Sequence, residues 1–155
     1  MAEPVAPDLW TTAVVDAGGR YGIHPSWRGY EAPIDYRMFE PEPVEAARLT
    51  TKYESRPDIS VMPFALGAAP DTTIDLFMTA HHGYIGSTPP NPTSLWFGEV
   101  RPDEGVVEGS ITVPATTLDA YLESTGRRAD FLKVDVESYE LQVLQGAAGA
   151  LDRIL

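Results

Sequence analysis

The chain has 155 residues, a formal net charge of −12 at pH 7, 43% hydrophobic residues and no cysteine. This length predicts one domain with a buried core, and the absence of cysteine excludes disulfides and thiolate metal sites. The negative charge argues against partners such as nucleic acids or anionic membrane surfaces. Since the chain shows no membrane-spanning apolar run and no signal-peptide pattern at its start, we expect a cytoplasmic protein.

The first half of the chain alternates short apolar strands with helices. Residues 1–11 are predicted to be a lead-in segment. A first strand is predicted at 13–17 and a helix after Gly22. A second strand is predicted at 34–40, and a helix at 42–53 that a proline opens and that is acidic near its start.

Further strands are predicted in the middle of the chain. The third strand, at 59–66, is interrupted by Pro63, which favours a position at the sheet edge or a bulge. Another strand is predicted at 73–79. A long loop rich in Gly, Pro and His covers 80–105, a length typical of functional loops, and a short strand follows at 110–113.

The last part of the chain contains two helices around one more strand. Thr116 and Asp119 form a pattern similar to a capping box, which predicts a helix start, and Gly126 predicts the helix end. A strand is predicted at 131–136. Apolar residues at helical spacing predict the last helix at 141–151.

This alternation predicts an α/β fold with a mostly parallel sheet and helices on both faces. We assign residues 12–155 to this single domain. The chain ends before the second half of a doubly wound sheet is complete. We therefore expect a domain that is truncated at its C-terminus or completed by a partner.

A glycine-rich turn follows the first strand in the segment Val14–Gly22. Glycine allows close approach of the backbone to a ligand. Asp16 at the strand end suits a ligand with a positive amino group and would repel a pyrophosphate. Ala17 stands where a dinucleotide fingerprint needs its first glycine. This favours a methionine-derived nucleoside over NAD, although a plain tight turn remains an alternative. Glu40 ends the second strand, where an acid commonly binds ribose hydroxyls; a solvated acid is the alternative.

Three charged residues alternate along the predicted strand 131–136 and just beyond it. Lys133, Asp135 and Glu137 share one face of the strand. Such charges are costly on a buried strand unless they are paired or functional. Asp135 and Glu137 lie at the carboxyl end, where ligands bind in open α/β sheets. The alternative is a structural ion pair between Lys133 and Asp135.

The chain has three histidines, His24, His81 and His82. Neighbouring side chains diverge, so the adjacent pair does not indicate a metal site, and we predict none. His24 follows the glycine turn and is a candidate general base. Each histidine is more readily explained as a surface or packing residue.

Four stretches in the same order resemble the FkbM family of S-adenosylmethionine-dependent methyltransferases. Val15–Gly22 is similar to the family's first cofactor-binding motif, and Phe39–Pro43 to its Phe-Glu-Pro motif. Thr117–Tyr121 resembles its Thr-Leu-Asp segment. Phe131–Ala147 resembles its most distinctive block, so that the resemblance covers residues 13–151.

The resemblance implies a Rossmann-like class I methyltransferase fold, S-adenosyl-L-methionine as cofactor, and methyl transfer to a hydroxyl oxygen of a sugar or natural product. In this reading the turn contacts the methionine part, Glu40 the ribose, and Leu66, at the end of the third strand, the adenine. The implied cofactor-binding residues are Asp16, Gly18, Gly19, Gly22, Glu40 and Leu66.

An alcohol acceptor is a weak nucleophile, so a positioned base would assist the transfer. Asp135 or Glu137 is our candidate for this base or for the acceptor anchor, with His24 or His81 in reserve. Ser138 departs from the glycine that the family usually has. A non-catalytic cofactor-binding module, a homo-oligomer, and a nicotinamide-dependent oxidoreductase remain open.

Overall fold

The computed structural model describes residues 11–80, 93–97, 107–136 and 139–154. The strands are β1 Thr12–Ala17, β2 Ile34–Phe39, β3 Ile59–Met62, β4 Ala65–Leu66, β5 Thr72–Ala80, β6 Thr93–Phe97, β7 Val107–Thr116 and β8 Phe131–Val134. The helices are α1 Pro43–Lys52, α2 Leu118–Thr125, α3 Glu140–Gln145 and α4 Ala148–Ile154, with a short 3-10 helix at Pro25–Trp27. In this described part of the chain, no helix has the length and apolar character needed to cross a bilayer.

The first sheet has the strand order β3-β2-β1-β8, and every neighbouring pair is parallel. The register places Asp16 of β1 beside Met38 of β2 on one side and Lys133 of β8 on the other. The carboxyl ends of these strands therefore meet at one edge, where open α/β sheets bind ligands.

Apolar residues cover both faces of this sheet. On one face, Val14 and Tyr36 pack with Leu49 of α1 in one buried cluster. On the other, Val15 packs in a second cluster with residues of the remaining helices. The α/β class, with a mostly parallel sheet between helices, is confirmed. The members of the second cluster from these helices are Leu118, Tyr121, Leu122, Val143 and Ala150, and Ala147 joins them from between α3 and α4.

The predicted single strand at 59–66 is wrong, because the chain changes sheet at Pro63. Proline has no amide to continue a ladder. β3 stays at the edge of the first sheet, as Pro63 predicted, while β4 joins a second sheet of order β4-β7-β5-β6. There β4 runs parallel to β7, and β5 is antiparallel to both β7 and β6.

The helix predicted after Gly22 is reduced to the three-residue 3-10 helix Pro25–Trp27. The backbone amides of Ile23 and His24, just before this short helix, donate to the hydroxyls of Tyr53 and Tyr36. These bonds come from distant strands and helices, so the local sequence did not reveal them.

The predicted loop at 80–105 is wrong in part, because it contains β6. The short strand predicted at 110–113 is the middle of the longer β7. His81, His82 and the rest of 81–92 lie outside the described residues, as does most of the predicted lead-in.

The boundaries of the last helices follow from two glycines. Gly126 ends α2 with φ 64°, as predicted. The single helix predicted at 141–151 is divided at Gly146, where a Cβ atom would lie 2.0 Å from the carbonyl oxygen of Gly67.

The N-terminal cap of α2 is Thr117 and not Thr116, because the Thr117 hydroxyl accepts from the Ala120 amide.

Asp119 has a different role from the one the sequence pattern indicated. Its two carboxylate oxygens accept from the amides of Gly149 (2.9 Å) and Ala150 (2.7 Å) at the start of α4. A carboxylate at this position satisfies free amides and interacts favourably with the helix dipole. Asp119 therefore joins α2 to α4.

We expect Asp119→Ala to lower the free energy of unfolding by about 1–2 kcal/mol, the usual cost of a lost helix cap. Glu123→Ala, an exposed acid on the same helix, is the matched control and should change it by less than about 0.5 kcal/mol. Urea denaturation measures both. Equal effects of the two variants would contradict the capping role.

Candidate cofactor and active site

Most of the predicted site residues lie at or near the carboxyl edge of the first sheet. Asp16 and Gly18 stand at the end of β1, Glu40 directly follows β2, and Asp135 directly follows β8. β2 and β8 are the two neighbours of β1. The sheet order therefore brings together residues that are far apart in the chain.

The glycine turn is locked to the end of β2. The amides of Gly18 and Gly19 both donate to the carbonyl oxygen of Phe39, at 3.1 and 3.2 Å. A Cβ atom on Gly18, whose φ is +89°, would lie 1.9 Å from the carbonyl oxygen of Asp135, and one on Gly19 would lie 1.9 Å from Cγ of Met38. Glycine is required here because the neighbouring chain segments approach so closely.

Asp16 is buried and is contacted at both carboxylate oxygens. The Tyr36 hydroxyl donates to Oδ2 at 2.5 Å, and Nζ of Lys133 lies 2.9 Å from Oδ1. Burial raises the pKa of Asp16, and the contacts with Tyr36 and Lys133 act in the opposite direction. The Asp16 carboxylate is thus paired inside the protein with a hydroxyl donor and an ammonium group.

Lys133 connects Asp16 to the glycine turn. Its Nζ donates to the carbonyl oxygen of Gly18 at 3.0 Å and lies 3.7 Å from Oδ2 of Asp135. The ion pair between Lys133 and Asp135 that the sequence offered as an alternative is present as this longer contact. The nearer carboxylate, Asp16, was missed as its partner because that pairing depends on the register of β1 and β8.

Two tyrosine hydroxyls hold the segment after the turn. The Ile23 amide donates to the Tyr53 hydroxyl at 3.0 Å, and the His24 amide to the Tyr36 hydroxyl at 3.2 Å. Sequence reasoning missed both tyrosines as site residues. The available signal was Tyr36 within a buried strand, since a buried tyrosine hydroxyl usually has a hydrogen-bond partner.

His24 itself is exposed, and its Nδ1 accepts from the Ser26 amide at 3.3 Å. This bond caps the 3-10 helix. The structure places His24 close to Tyr36, and its role as a general base stays a prediction.

Glu40 is a buried acid beside the turn, with 4% of its surface exposed. Its Oε1 accepts from the Glu42 amide at 2.9 Å. In the described part of the chain, no donor contacts its other oxygen. Burial raises the pKa of Glu40 to about 7, while the charge of Arg20 acts in the opposite direction.

Asp135 is exposed, in contrast to Asp16 and Glu40. Its side chain is 71% accessible, and its amide donates to the Ala17 carbonyl oxygen at 3.0 Å. The backbone is therefore fixed to β1 while the carboxylate faces solvent. Glu137, the second candidate base, lies outside the described residues.

Leu66 does not end the third strand, because that strand stops at Met62. Leu66 belongs to β4 of the second sheet, where it is 3% exposed and packs in the larger core cluster. Its predicted place at the end of the third strand is wrong, because the chain leaves the first sheet at Pro63. Its contact with adenine stays a prediction.

A cavity of about 550 Å³ lies between α2 and the second sheet. Its walls include Phe64, whose ring packs against that of Phe39 at 5.5 Å, one residue before Glu40. Sequence reasoning did not identify this cavity, because its walls come from separate elements. It is lined by Phe64, Asp71, Thr72, Pro114, Ala115, Thr116, Ala120, Tyr121 and Ser124.

Among the described ranges, no group of three or more His, Asp or Glu side chains is arranged to hold a metal ion. The prediction that the histidines form no metal site stays a prediction, because His81 and His82 lie outside those ranges.

The parallel sheet, the glycine turn after β1 and the acid after β2 together define a Rossmann-like protein of the class I methyltransferase type. A family model for the methyltransferase FkbM domain matches residues 16–155. The chain therefore belongs to the FkbM methyltransferase family, which indicates methyl transfer as its class of reaction. Searches of curated proteins and of solved structures found no match.

We expect Lys133→Met to lower the free energy of unfolding by about 3–5 kcal/mol at pH 7, because it leaves the Asp16 carboxylate buried without its cation. The loss should shrink as the pH falls, since the pKa of Asp16 is raised and a protonated Asp16 needs no cation. Urea titrations at several pH values measure this dependence.

Lys52→Met is the control, because Lys52 is exposed at the end of α1 with its Nζ over the Tyr53 ring, and its loss should cost less than about 1 kcal/mol. Adding Asp16→Asn to the Lys133→Met variant should restore part of the stability. A loss that is independent of pH, with no recovery in the double variant, would contradict a charge-pairing role.

Proposed function

We propose that this protein transfers the methyl group of S-adenosyl-L-methionine to a hydroxyl oxygen of a sugar or other small natural product. The observation that carries the proposal is Glu40, a buried acid at the carboxyl edge of the sheet with one oxygen that no described residue contacts. The family membership supports the reaction class.

Glu40 fits the ribose of an adenosyl cofactor. A carboxylate accepts hydrogen bonds from two neighbouring hydroxyls, and an acid after the second strand is the usual ribose partner in this kind of fold. Hydroxyl donors would stabilise the ionised form of Glu40, which burial otherwise disfavours. The amides of Gly18 and Gly19 fix the turn to Phe39, so the turn and Glu40 keep a constant spacing.

The other residues of the turn support the same pocket. We propose that Gly18, Gly19 and Gly22 bring the backbone close to the methionine part of the cofactor. Asp16, which is enclosed and paired, holds the shape of this turn from inside. Leu66 remains the proposed neighbour of the adenine.

S-adenosyl-L-methionine, when bound, supplies a methyl group already activated by a positive sulfur. The protein's task is to orient the acceptor and to remove its proton. Asp135 is exposed beside the turn, so its carboxylate is available to accept the proton of the acceptor hydroxyl. A positioned base of this kind contributes about 10²–10⁴-fold. Glu137 and His24 are the other candidates.

We propose a small-molecule or saccharide acceptor, a cytoplasmic location, and no nucleic acid or membrane partner. The net charge of −12 supports the absence of polyanionic partners, since like charges repel.

The binding test uses S-adenosylhomocysteine in isothermal titration calorimetry. We expect the wild-type protein to bind it more weakly as the pH falls through about 7, where Glu40 becomes protonated. Glu40→Gln should bind about 10- to 100-fold more weakly at pH 8, because a charged acceptor is lost. An affinity that is indifferent to both changes would exclude Glu40 as the ribose partner.

The same variant separates lost binding from lost folding. The folded protein holds a proton on Glu40 up to about pH 7, whereas an ordinary glutamate loses it near 4.5. The free energy of unfolding therefore falls as the pH rises through this range, by roughly 3 kcal/mol in all. Glu40→Gln should be more stable than wild type at pH 8 and equal to it near pH 4, as measured by urea denaturation.

The catalytic test replaces Asp135 with Asn. We expect methyl transfer to a hydroxyl acceptor to fall by about 10²-fold or more, while S-adenosylhomocysteine binding is unchanged. Asp152→Asn, an exposed acid on α4, is the control for the loss of one charge. Methyl transfer at the wild-type rate in Asp135→Asn would assign the role of the base to another residue. If the wild-type protein binds S-adenosylhomocysteine but transfers no methyl group to any hydroxyl acceptor, the non-catalytic module is favoured.

A further inference from the structure

The turn after β1 uses its own backbone amides within the protein. Gly18 and Gly19 donate to Phe39, and Gly22 donates to Gly19. The next two amides are taken by tyrosine hydroxyls. A helix start would offer free amides to an anion, but the helix that follows here has three residues. Few backbone amides of this turn are therefore left to hold an anionic ligand group.

Arg20 lies within this turn and is half-buried. Its carbonyl oxygen accepts from Nη2 of Arg48 at 3.5 Å, which ties its backbone to α1. Its positive charge lowers the pKa of the Glu40 carboxyl, so the guanidinium lies near enough to this acid to interact with it. Within the described residues, the guanidinium makes no ion pair or hydrogen bond of its own.

Two of the cations near the turn are already committed, while a third, Lys52, lies close to Gly22 with its Nζ over the Tyr53 ring. The guanidinium of Arg48 is paired with Glu45 through two short contacts, of 2.6 and 2.7 Å. Lys133 is held by Asp16 and Gly18. Arg20 thus differs from both in having its hydrogen-bond donors available.

We propose that the Arg20 guanidinium binds the carboxylate of the methionine part of the cofactor. The inference rests on the proposed function, since it assumes an adenosyl ligand at Glu40. A planar guanidinium binds a carboxylate through two parallel hydrogen bonds. Arg20 then selects adenosyl compounds that carry the amino-acid group over those that lack it.

The test compares two ligands that share adenine, ribose and a thioether sulfur. S-adenosylhomocysteine carries the carboxylate, and 5′-methylthioadenosine does not. Calorimetry at pH 8.5, where Glu40 is ionised, gives the ratio of the two affinities. We expect Arg20→Ala to weaken the binding of S-adenosylhomocysteine about 10- to 100-fold. Its affinity for 5′-methylthioadenosine should stay within about twofold of wild type, so that the ratio of the two affinities falls.

The ratio removes effects that both ligands share, such as a change in Glu40 or in the folding of the turn. Arg20→Lys keeps a point charge and should recover part of the ratio. Arg56→Ala removes the same charge from the end of α1, where Arg56 pairs with Asp58, and should leave the ratio unchanged.

Each outcome separates the inference from the proposed function. Binding of both ligands by wild type, with an unchanged ratio in Arg20→Ala, would overturn the role of Arg20 and leave the adenosyl site standing. A wild-type protein that binds neither ligand would overturn both. A lowered ratio that Arg20→Lys partly restores would support Arg20 as the carboxylate partner.

Discussion

The interaction on which the rest of the site depends is the ammonium group of Lys133 between Asp16 and Gly18. It joins β8 to the end of β1 and to the first glycine of the turn. Asp16 is fully buried, so its charge would be very costly without this partner. The geometry of the glycine turn and the stability of the sheet therefore rest on the same buried ion pair.

Asp16 and Glu40, at the ends of neighbouring strands, differ in the partners that surround their carboxyl groups. Burial raises the pKa of both Asp16 and Glu40. Asp16 has a hydroxyl donor and a cation within 3 Å, whereas Glu40 has one backbone amide and acidic neighbours that raise its pKa further. The cost of burying charge thus remains uncompensated at Glu40, which is the arrangement expected of a group that awaits donors from a ligand.

The sequence predicted the elements whose signals are local. β1, β2 and α1 follow from apolar periodicity and an opening proline, and Gly126 ends α2 as expected. The errors arose where the wider packing of the chain decides: the helix after Gly22 has only three residues, and the segment after Pro63, with Leu66, joins another sheet. The grouping of the acids at one edge could be predicted from strand ends, but the partner of Lys133 depends on strand register, which no local pattern reveals.

The glycines of the turn carry less information about the ligand than the sequence suggested. Gly18 and Gly19 are required by contacts with Asp135 and Met38 of the same protein, so a tight internal turn alone would explain them. What packing does not explain is a buried acid and a half-buried arginine near this turn, each with side-chain polar atoms to which the described residues give no hydrogen-bond partner. The argument for an adenosyl ligand therefore rests on these two charged groups more than on the glycine pattern that first drew attention to the site.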